Sequence, residues 1–245
     1  MKRVINLLLN LIYPPKCVFC RDMLEITTER AVCDNCRAEK KLLKDTLCCV
    51  RCGKPIVSFG EKQLCYNCLN KTYFYFKRIV SALEYSGDVR YSILRYKRNV
   101  LTAYAKVYAE YMYEIYKKEL SDISFDFVVG VPEDKKRVFE RGSNHIGVLC
   151  EKFSQMSGIE YLENCLKKVK ATKKQSTLGY YDRLKNLDGC MRAVEPSRIN
   201  GKTLLLIDDV CTTGATIEEC AKELKLSGAK QIYALTVATT SNKKH

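Results

Sequence analysis

Four Cys-x2-Cys pairs near the N-terminus constrain this chain more than any other feature. Each half of the pattern places two pairs twelve residues apart, and the second half repeats the first 32 residues later. The eight residues are Cys17, Cys20, Cys33, Cys36, Cys49, Cys52, Cys65 and Cys68. Four thiolates on two tight turns form the tetrahedral donor set that Zn²⁺ prefers in structural sites. The spacing therefore predicts two structural zinc ions, each held by the four cysteines of one half.

Alternatives remain open for these cysteines. Spacing alone does not fix the grouping, so the ligands of the two ions could be interleaved between the halves. Disulfides or an iron–sulfur cluster would also use paired cysteines. Structural zinc is favoured because so short a segment has too little apolar bulk for its own core and gains folding energy from metal. Cys48 is an extra thiol outside the repeat.

The N-terminal residues indicate the compartment of the chain. Residues 4–13 can form a short amphipathic helix that ends at Pro14 and Pro15. No small-residue cleavage site follows, and no stretch reaches the roughly 20 apolar residues of a membrane span. The sequence predicts a cytoplasmic chain with reduced thiols, whose short helix packs on a neighbouring domain. A peripheral contact with the inner face of the membrane, aided by Lys2 and Arg3, is the alternative.

The chain is strongly basic, with 42 basic and 28 acidic side chains and a formal net charge of +14. Eight zinc-bound thiolates with their two ions would lower this net charge by about four. The remaining excess favours polyanionic partners, either nucleic acid or phosphate-rich ligands. Because the basic residues are spread along the chain, a solvated basic surface is the simpler interpretation.

A buried strand, two acids and a loop of small residues follow one another near the C-terminus. Four apolar residues at positions 204–207 indicate a strand that is buried on both faces, and Asp208 and Asp209 come directly after it. The loop contains Cys211, Thr212, Thr213, Gly214, Ala215 and Thr216. Apolar residues at helical spacing then continue until Gly228, where the helix is expected to end. Ligands of open α/β sheets bind at such a strand–loop–helix edge.

The chemistry of this edge suits a phosphorylated ribose. Loop N–H groups and a helix N-terminus hold phosphate, and threonine hydroxyls add donors. The two carboxylates can accept hydrogen bonds from ribose hydroxyls or help to hold Mg²⁺. The simpler interpretation is a strand whose solvated acids precede a capped helix. A P-loop is rejected, although Gly201, Lys202 and Thr203 match its end, because this segment leads into a strand instead of out of one.

Further elements indicate an α/β domain around this edge. Strands are predicted at residues 79–85, 125–131 and 231–237, and a long helix follows a basic segment near residue 100. We therefore predict three parts: an N-terminal helix at residues 1–15, a zinc-binding module at 16–76 and an α/β domain at 77–245. The aromatic residues 73–76 are expected to pack where the two larger parts meet, with base stacking as the alternative.

A basic loop follows the strand predicted at 125–131. It contains Lys135, Lys136, Arg137 and Arg141. A basic loop at the carboxyl end of a strand can receive a pyrophosphate, and Arg141 is the best candidate for a bidentate contact. Solvated surface charge is the alternative, above all for Lys135 and Lys136. His145 is expected to be a packing or capping residue and not a catalytic base.

A second basic stretch lies between residues 166 and 188. Its lysines are Lys167, Lys168, Lys170, Lys173 and Lys174. One interpretation is a mobile flap that closes over a reacting centre and excludes water. The other is a disordered surface loop.

Taken together, these motifs resemble the ComF family of competence-protein-F-like, predicted amidophosphoribosyltransferase proteins. The matching positions are Tyr85-Ser86-Gly87, Lys97, Val131-Pro132, Arg137, Arg141-Gly142, Asn144, Gln175, Leu178, Arg183, Asn186 and residues 208–216. The resemblance covers nearly the full length and implies a type I phosphoribosyltransferase fold, a parallel sheet flanked by helices, behind a small double zinc ribbon. One departure is that Ser143 and His145 stand where the family has Phe and Gln.

The resemblance also implies a function. The loop 211–216, with Arg137 and Arg141, would bind phosphoribosyl pyrophosphate (PRPP) together with Mg²⁺. Asp208 and Asp209 would be the catalytic pair. Family members are implicated in handling single-stranded DNA during natural transformation. The first hypothesis is thus a Mg²⁺-dependent phosphoribosyltransferase; a nucleic-acid-binding protein and a PRPP sensor without turnover are the alternatives. No residue stands out as an acceptor base.

Overall fold

The computed structural model describes residues 14–28, 30–40, 42–43, 46–56, 63–99, 102–170 and 187–241. The side chain of Arg137 is outside this description. The helix predicted at residues 4–13 lies outside the described residues. So do positions 171–186, which hold Lys173, Lys174, Gln175, Leu178, Arg183 and Asn186.

A four-stranded parallel sheet forms the centre of the molecule. Its strands are β1 (Ile79–Glu84), β2 (Phe127–Gly130), β5 (Thr203–Cys211) and β6 (Gln231–Thr239), in the spatial order β1-β6-β5-β2. All three strand pairs are parallel. A single parallel bridge between Val128 and Tyr161 extends the sheet beyond β2. A parallel sheet needs crossover connections, which here are helices.

Helices cover both faces of the sheet. On one face lie α3 (Gly87–Arg98), α4 (Thr102–Glu119) and α6 (His145–Ser157), packed on Leu205 and Ile207 of β5. On the other face lies α8 (Ala215–Leu226), packed on Leu204 and Leu206. All four of these β5 residues are fully buried, so the predicted strand buried on both faces is confirmed. The predicted α/β class, with a parallel sheet flanked by helices, is confirmed as well.

Four shorter elements of the described sheet domain lie outside the central sheet. They are α5 (Lys135–Arg141), α7 (Pro196–Ile199) and an antiparallel pair formed by β3 (Leu166–Lys168) and β4 (Met191–Ala193). The stretch 90–98, interpreted from sequence only as basic, forms the last nine of the twelve residues of α3. That helix forms because Val89, Ser92, Ile93 and Tyr96 make a buried stripe along it.

Both halves of the cysteine-rich module contact the sheet domain. Its two helices are α1 (Asp34–Glu39) and α2 (Tyr66–Leu69). The first half contacts the α3–α4 face, where Arg95 Nη2 donates to the carbonyls of Val18 and Phe19 at 3.0 and 2.6 Å. The second half contacts the start of β1, where Ile79 N donates to Arg51 O at 2.9 Å.

Gly53 explains how closely the second half approaches β1. Its φ is +68°, and a Cβ built there would lie 2.5 Å from the carbonyl oxygen of Ile79. Only glycine combines this backbone conformation with this contact. The aromatic residues 73–76 lie at the junction, as predicted: Phe76 is buried in the sheet domain, and Phe74 packs against both the second half and the sheet domain.

Candidate functional site

The eight cysteines of the repeat gather into two separate groups of four. One holds Cys17, Cys20, Cys33 and Cys36, and the other holds Cys49, Cys52, Cys65 and Cys68. The sequential grouping predicted from spacing is therefore the observed one. None of these cysteines forms a disulfide.

The geometry of each group fits a tetrahedral zinc ion. Cys20 Sγ and Cys33 Sγ lie 3.7 Å apart, and Cys52 Sγ and Cys65 Sγ lie 3.6 Å apart. A tetrahedron with Zn–S bonds of about 2.3 Å has an edge of about 3.8 Å. The N–H of Cys33 donates to Cys17 Sγ at 3.4 Å, as expected where a turn supports a thiolate. Both groups are closed sites with four protein ligands, which suits a structural and not a catalytic ion.

The acid pair and the threonine loop lie together at the carboxyl end of β5. The strand runs through Asp208 and Asp209 to Cys211, three residues further than predicted, because β6 pairs with it to the end. The loop then turns at Gly214, whose φ is +79°, and α8 begins at Ala215. The first N–H groups of a helix have no partner within it. This arrangement places N–H groups of the kind that can bind an anion beside two carboxylates.

Asp209 is the more constrained of the two acids. It is 4% exposed, and its Oδ2 accepts from Lys97 Nζ at 2.8 Å and from His145 Nε2 at 2.6 Å. Burial alone would raise the pKa of Asp209, but the charges of Lys97 and His145 outweigh it and hold that pKa well below its usual value. Asp209 is therefore an anion that is already neutralised by protein groups.

Asp208 behaves differently although it is the next residue. Burial, followed by the neighbouring charge of Asp209, raises the pKa of Asp208 to about 7. Its Oδ1 accepts from the N–H of Asp209 at 2.8 Å, and its side chain is only half-buried. Asp208 is thus the member of the pair that is poised to gain or lose a proton near neutral pH.

His145 joins the acid pair to the loop that follows β2. Its Nδ1 lies 2.6 Å from Glu133 Oε1, and its backbone N donates to Glu133 Oε2 at 2.7 Å. Burial would lower the pKa of His145, but the hydrogen bonds to Asp209 and Glu133 raise it to about 9. The ring is therefore a buried imidazolium at neutral pH. Both ring nitrogens are paired with carboxylates, so the ring has no free position at which to accept a proton.

Arg141 completes a chain of five charged residues. Its Nη1 donates to Glu133 Oε1 at 3.0 Å and lies 2.9 Å from His145 Nδ1, because both groups donate to the same oxygen. We call Lys97, Asp209, His145, Glu133 and Arg141 the charge network. Arg141, predicted as a bidentate donor to pyrophosphate, is held by Glu133 in this structure. Lys135 and Lys136 are exposed on α5.

Two members of the charge network were underestimated or missed in the sequence. Lys97 was noted only as part of a basic segment and as a family match, and Glu133 was not singled out. The signal for Glu133 is its position directly after Val131 and Pro132, where the chain leaves a buried strand at the ligand-binding edge.

A separate cavity of about 340 Å³ opens on the outer side of β2. Its floor is apolar and includes Val131, Ile146 and Leu166, and its rim carries Lys135, Lys167 and Lys168. Phe139, on α5, also lines it and is 89% exposed. Of the rim lysines, Lys168 lies 3.6 Å from Asp134, whereas Lys135 and Lys167 are exposed to solvent.

Comparisons with known proteins agree with the cysteine geometry and with the resemblance seen in the sequence. A family model described as a double zinc ribbon domain matches residues 8–69. Competence protein F of Haemophilus influenzae is 28% identical over 227 residues, which cover 91% of this chain and 96% of that protein. The DNA utilization protein YhgH of Escherichia coli is 25% identical over 230 residues, covering 93% and 98%. The resemblance to competence-F-like proteins with a double zinc ribbon is therefore confirmed over most of the chain.

Among solved structures, glutamine PRPP amidotransferase from B. subtilis matches with 18% identity and a TM-score of 0.37. The match covers 54% of this chain and 26% of that one, so this chain spans about a quarter of its length. The fold assignment rests on the sheet order and the flanking helices and not on this likeness. No helix in the described part of the chain combines the length and apolarity needed to cross a bilayer.

Proposed function

We propose that this relative of competence protein F and the YhgH proteins binds PRPP, with Mg²⁺, at the carboxyl end of β5. One observation carries the proposal. The strand β5, which holds Asp208 and Asp209 near its carboxyl end, leads directly into a threonine-rich loop that turns at Gly214 into α8. A phosphate cradle beside two carboxylates matches a sugar that carries a phosphate and free hydroxyls.

In this proposal, each group has a distinct task. The N–H groups and hydroxyls of residues 211–216 hold the 5-phosphate. Asp208, half-buried and ionisable near neutral pH, accepts from a ribose hydroxyl. Asp209 is already paired with Lys97 and His145, so it positions these two cations at the edge of the site. The pyrophosphate group lies toward Arg141 and Arg137, with Mg²⁺ neutralising part of its charge.

The proposed chemistry is a transfer of the ribosyl group with release of pyrophosphate. Positive charge that develops at the anomeric carbon would be stabilised by the acid pair. Among the described residues near the site, the one histidine is His145, and its raised pKa keeps it protonated. His145 is therefore not assigned as the base for an acceptor, and the alternative to turnover is that the site acts as a PRPP sensor.

Calorimetry with Mg²⁺ and PRPP tests this proposal. We expect binding by the wild type and at least about tenfold weaker binding by Asp208→Asn, because one charge-assisted contact is lost. Lys77→Met, at an exposed lysine that does not line the cleft beside the loop, is the matched control and should bind normally. Absence of binding to the wild type, or equal binding by Asp208→Asn, contradicts the proposal. Pyrophosphate release with amines, bases and single-stranded DNA then separates an enzyme from a sensor.

A second function is favoured by the cavity beside β2. Exposed Phe139 stands next to an apolar floor and a rim of lysines, which is the combination that single-stranded nucleic acid binds through stacking and phosphate contacts. We propose that this surface binds single-stranded DNA, in line with the names of the relatives, a competence protein and DNA utilization proteins. Affinity that falls steeply with salt supports this function, and salt-insensitive or absent binding contradicts it.

The proposed location is the cytoplasm, where fourteen cysteines would stay reduced and available to metal. A peripheral contact of residues 4–13 with the inner face of the membrane is a further proposal, supported by their apolar face and by Lys2 and Arg3.

A further inference from the structure

Lys54 is a buried lysine without a partner. It follows Cys52 and Gly53 in the second cysteine group and is 8% exposed. Within the described ranges, no hydrogen bond or ion pair involves its ammonium group, although the other strongly buried charged side chains, Asp209, Glu218 and His145, all have partners. The ammonium nitrogen itself is not among the fully enclosed, unpaired polar atoms of the described chain, so the tip of Lys54 opens onto the cleft that it lines. It can therefore donate to an anion that binds there.

The position of Lys54 identifies which groups it faces. It lines a small cleft together with Thr213, Gly214 and Ala215, the residues through which the loop enters α8. Burial raises the pKa of Cys211 to about 12, and the nearby charge of Lys54 acts in the opposite direction. The cleft has a volume of about 30 Å³, which accommodates a small polar group but not a nucleobase.

The one carboxylate that lines this cleft does not balance Lys54. Glu218 Oε1 accepts from Lys71 Nζ at 2.9 Å and from Tyr75 N at 3.3 Å. Glu218 Oε2 is buried and accepts no hydrogen bond at all. Lys71 therefore neutralises Glu218, and Lys54 is left as the excess positive charge beside the N-terminus of α8.

Two anions remain as partners for Lys54. One is the second zinc centre, because a zinc ion with four thiolates carries two net negative charges and Cys52, Cys65 and Cys68 line the same cleft. The other is a phosphate group on the loop. The loop is favoured because a helix N-terminus and an unpartnered ammonium group both attract an anion at the same point.

We propose that the second zinc-binding half is part of the phosphate site, and that Lys54 donates from it to the phosphate group cradled by residues 211–216. This inference rests on the proposed PRPP function and extends it, because it makes a residue outside the sheet domain a contact for the 5-phosphate. The second zinc ion then positions Lys54 by fixing the turn at Cys52 and Gly53. Loss of that ion should weaken phosphate binding even if the sheet domain stays folded.

Lys54→Met tests the inference, because methionine is similar in volume and lacks the charge. Calorimetry with ribose 5-phosphate and with PRPP and Mg²⁺ should show affinities at least about tenfold weaker than wild type. Inorganic pyrophosphate, which lacks the 5-phosphate, should bind equally to both proteins. Zinc content should stay unchanged, and the ligand-free melting temperature should stay equal or rise, since an unpartnered buried charge is removed.

Further variants and outcomes keep the inference separate from the PRPP proposal. Lys54→Gln, a second uncharged variant, should repeat the result, and Lys77→Met should bind like wild type. Equal binding of ribose 5-phosphate by wild type and Lys54→Met overturns the inference and leaves PRPP binding intact. Loss of zinc by Lys54→Met also overturns it, because Lys54 then balances the thiolates. A wild type that binds neither sugar phosphate overturns both proposals.

Discussion

His145 Nε2 lies 2.6 Å from Asp209 Oδ2, and both side chains are buried. The other ring nitrogen, Nδ1, lies 2.6 Å from Glu133 Oε1. One imidazolium thus connects the acid at the end of β5 to the loop after β2, the two sides of the proposed ligand site. The family has Gln at this position, and a neutral amide would make similar hydrogen bonds without adding a charge. The His therefore makes this connection an ion pair.

The first prediction is that Asp209→Asn lowers the pKa of His145 by about one unit or more, because one of its two carboxylate partners is lost while its burial remains. NMR titration of the imidazole signals measures it directly, and the chain has only two histidines to assign. Asp208→Asn should leave the pKa of His145 much closer to that of the wild type. A wild-type His145 that titrates near its ordinary value would contradict the charge network.

The second prediction is that replacing aspartate by asparagine has opposite effects on the stability of the protein at the neighbouring positions Asp208 and Asp209. The pKa of Asp208 is raised to about 7 in the folded protein from an ordinary value of 3.8. Between these values the folded protein holds a proton that the unfolded chain has lost, so the free energy of unfolding falls as pH rises. Asp208→Asn removes this penalty and should stabilise the protein at pH 8 by about 2 kcal/mol, which is roughly half of the full linkage value because solvent reaches the side chain and screens its charge.

Asp209→Asn should instead destabilise the protein at pH 8, by about 3 to 5 kcal/mol, because Lys97 and His145 are left without their anion. Urea denaturation at pH 4 and pH 8 measures both effects, and at pH 4 the gain from Asp208→Asn should disappear. His145 adds to the pH dependence: its stabilising contribution is complete below its ordinary pKa of 6.5 and is lost as pH rises through about 9. Destabilisation by both variants at pH 8 would contradict the different roles of the two acids.

The third prediction concerns the metal. Wild-type protein should contain two zinc ions per chain, and Cys52→Ser should contain one, because its group keeps only three thiolates. Cys48→Ser is the matched control, because Cys48 is next to the ligand Cys49 in the sequence but lies outside both groups. This variant should retain both zinc ions. Metal analysis of the purified proteins, with thermal unfolding before and after chelation, measures these outcomes. Equal zinc content in Cys52→Ser and wild type would contradict the second centre.

Much of the fold could be predicted from local patterns in the sequence. The apolar run 204–207 predicted a strand buried on both faces, because successive side chains of a strand point to opposite sides. Leu204 and Leu206 indeed face α8, whereas Leu205 and Ile207 face the opposite helices. The spacing of the four cysteine pairs favoured the sequential grouping that the structure shows but did not exclude an interleaved one.

Long-range partners could not be predicted in this way. Lys97 and Asp209 come together only when α3 packs on the face of the sheet that contains β5. The residues next to each of them in the sequence do not indicate this contact. Arg95 is similar: the sequence showed it only as part of a basic segment, yet it donates to the carbonyls of Val18 and Phe19 in the first cysteine half. The position of Lys54 could not be predicted either, because nothing near Gly53 in the sequence indicates that the second cysteine half lies beside the loop 211–216.

The fourth prediction locates the nucleic-acid contact. Phe139 is 89% exposed beside the cavity of about 340 Å³, and a base stacked on such a ring contributes about 1 to 3 kcal/mol. Phe139→Ser should therefore weaken binding of a short fluorescent oligothymidylate about tenfold, as measured by anisotropy at fixed salt. Lys135→Glu and Lys167→Glu should weaken binding as well and reduce its dependence on salt, because each removes a phosphate contact.

Tyr73 provides the matched control for Phe139. It is 59% exposed and belongs to the aromatic segment 73–76, the other candidate for base stacking. Tyr73 also packs edge-on against Tyr75, with ring centroids 4.9 Å apart, so a base would have to compete with that contact. Tyr73→Ser should therefore bind the oligonucleotide like the wild type. If Tyr73→Ser loses affinity while Phe139→Ser keeps it, the strand runs across the junction of the two domains and not across the cavity beside β2.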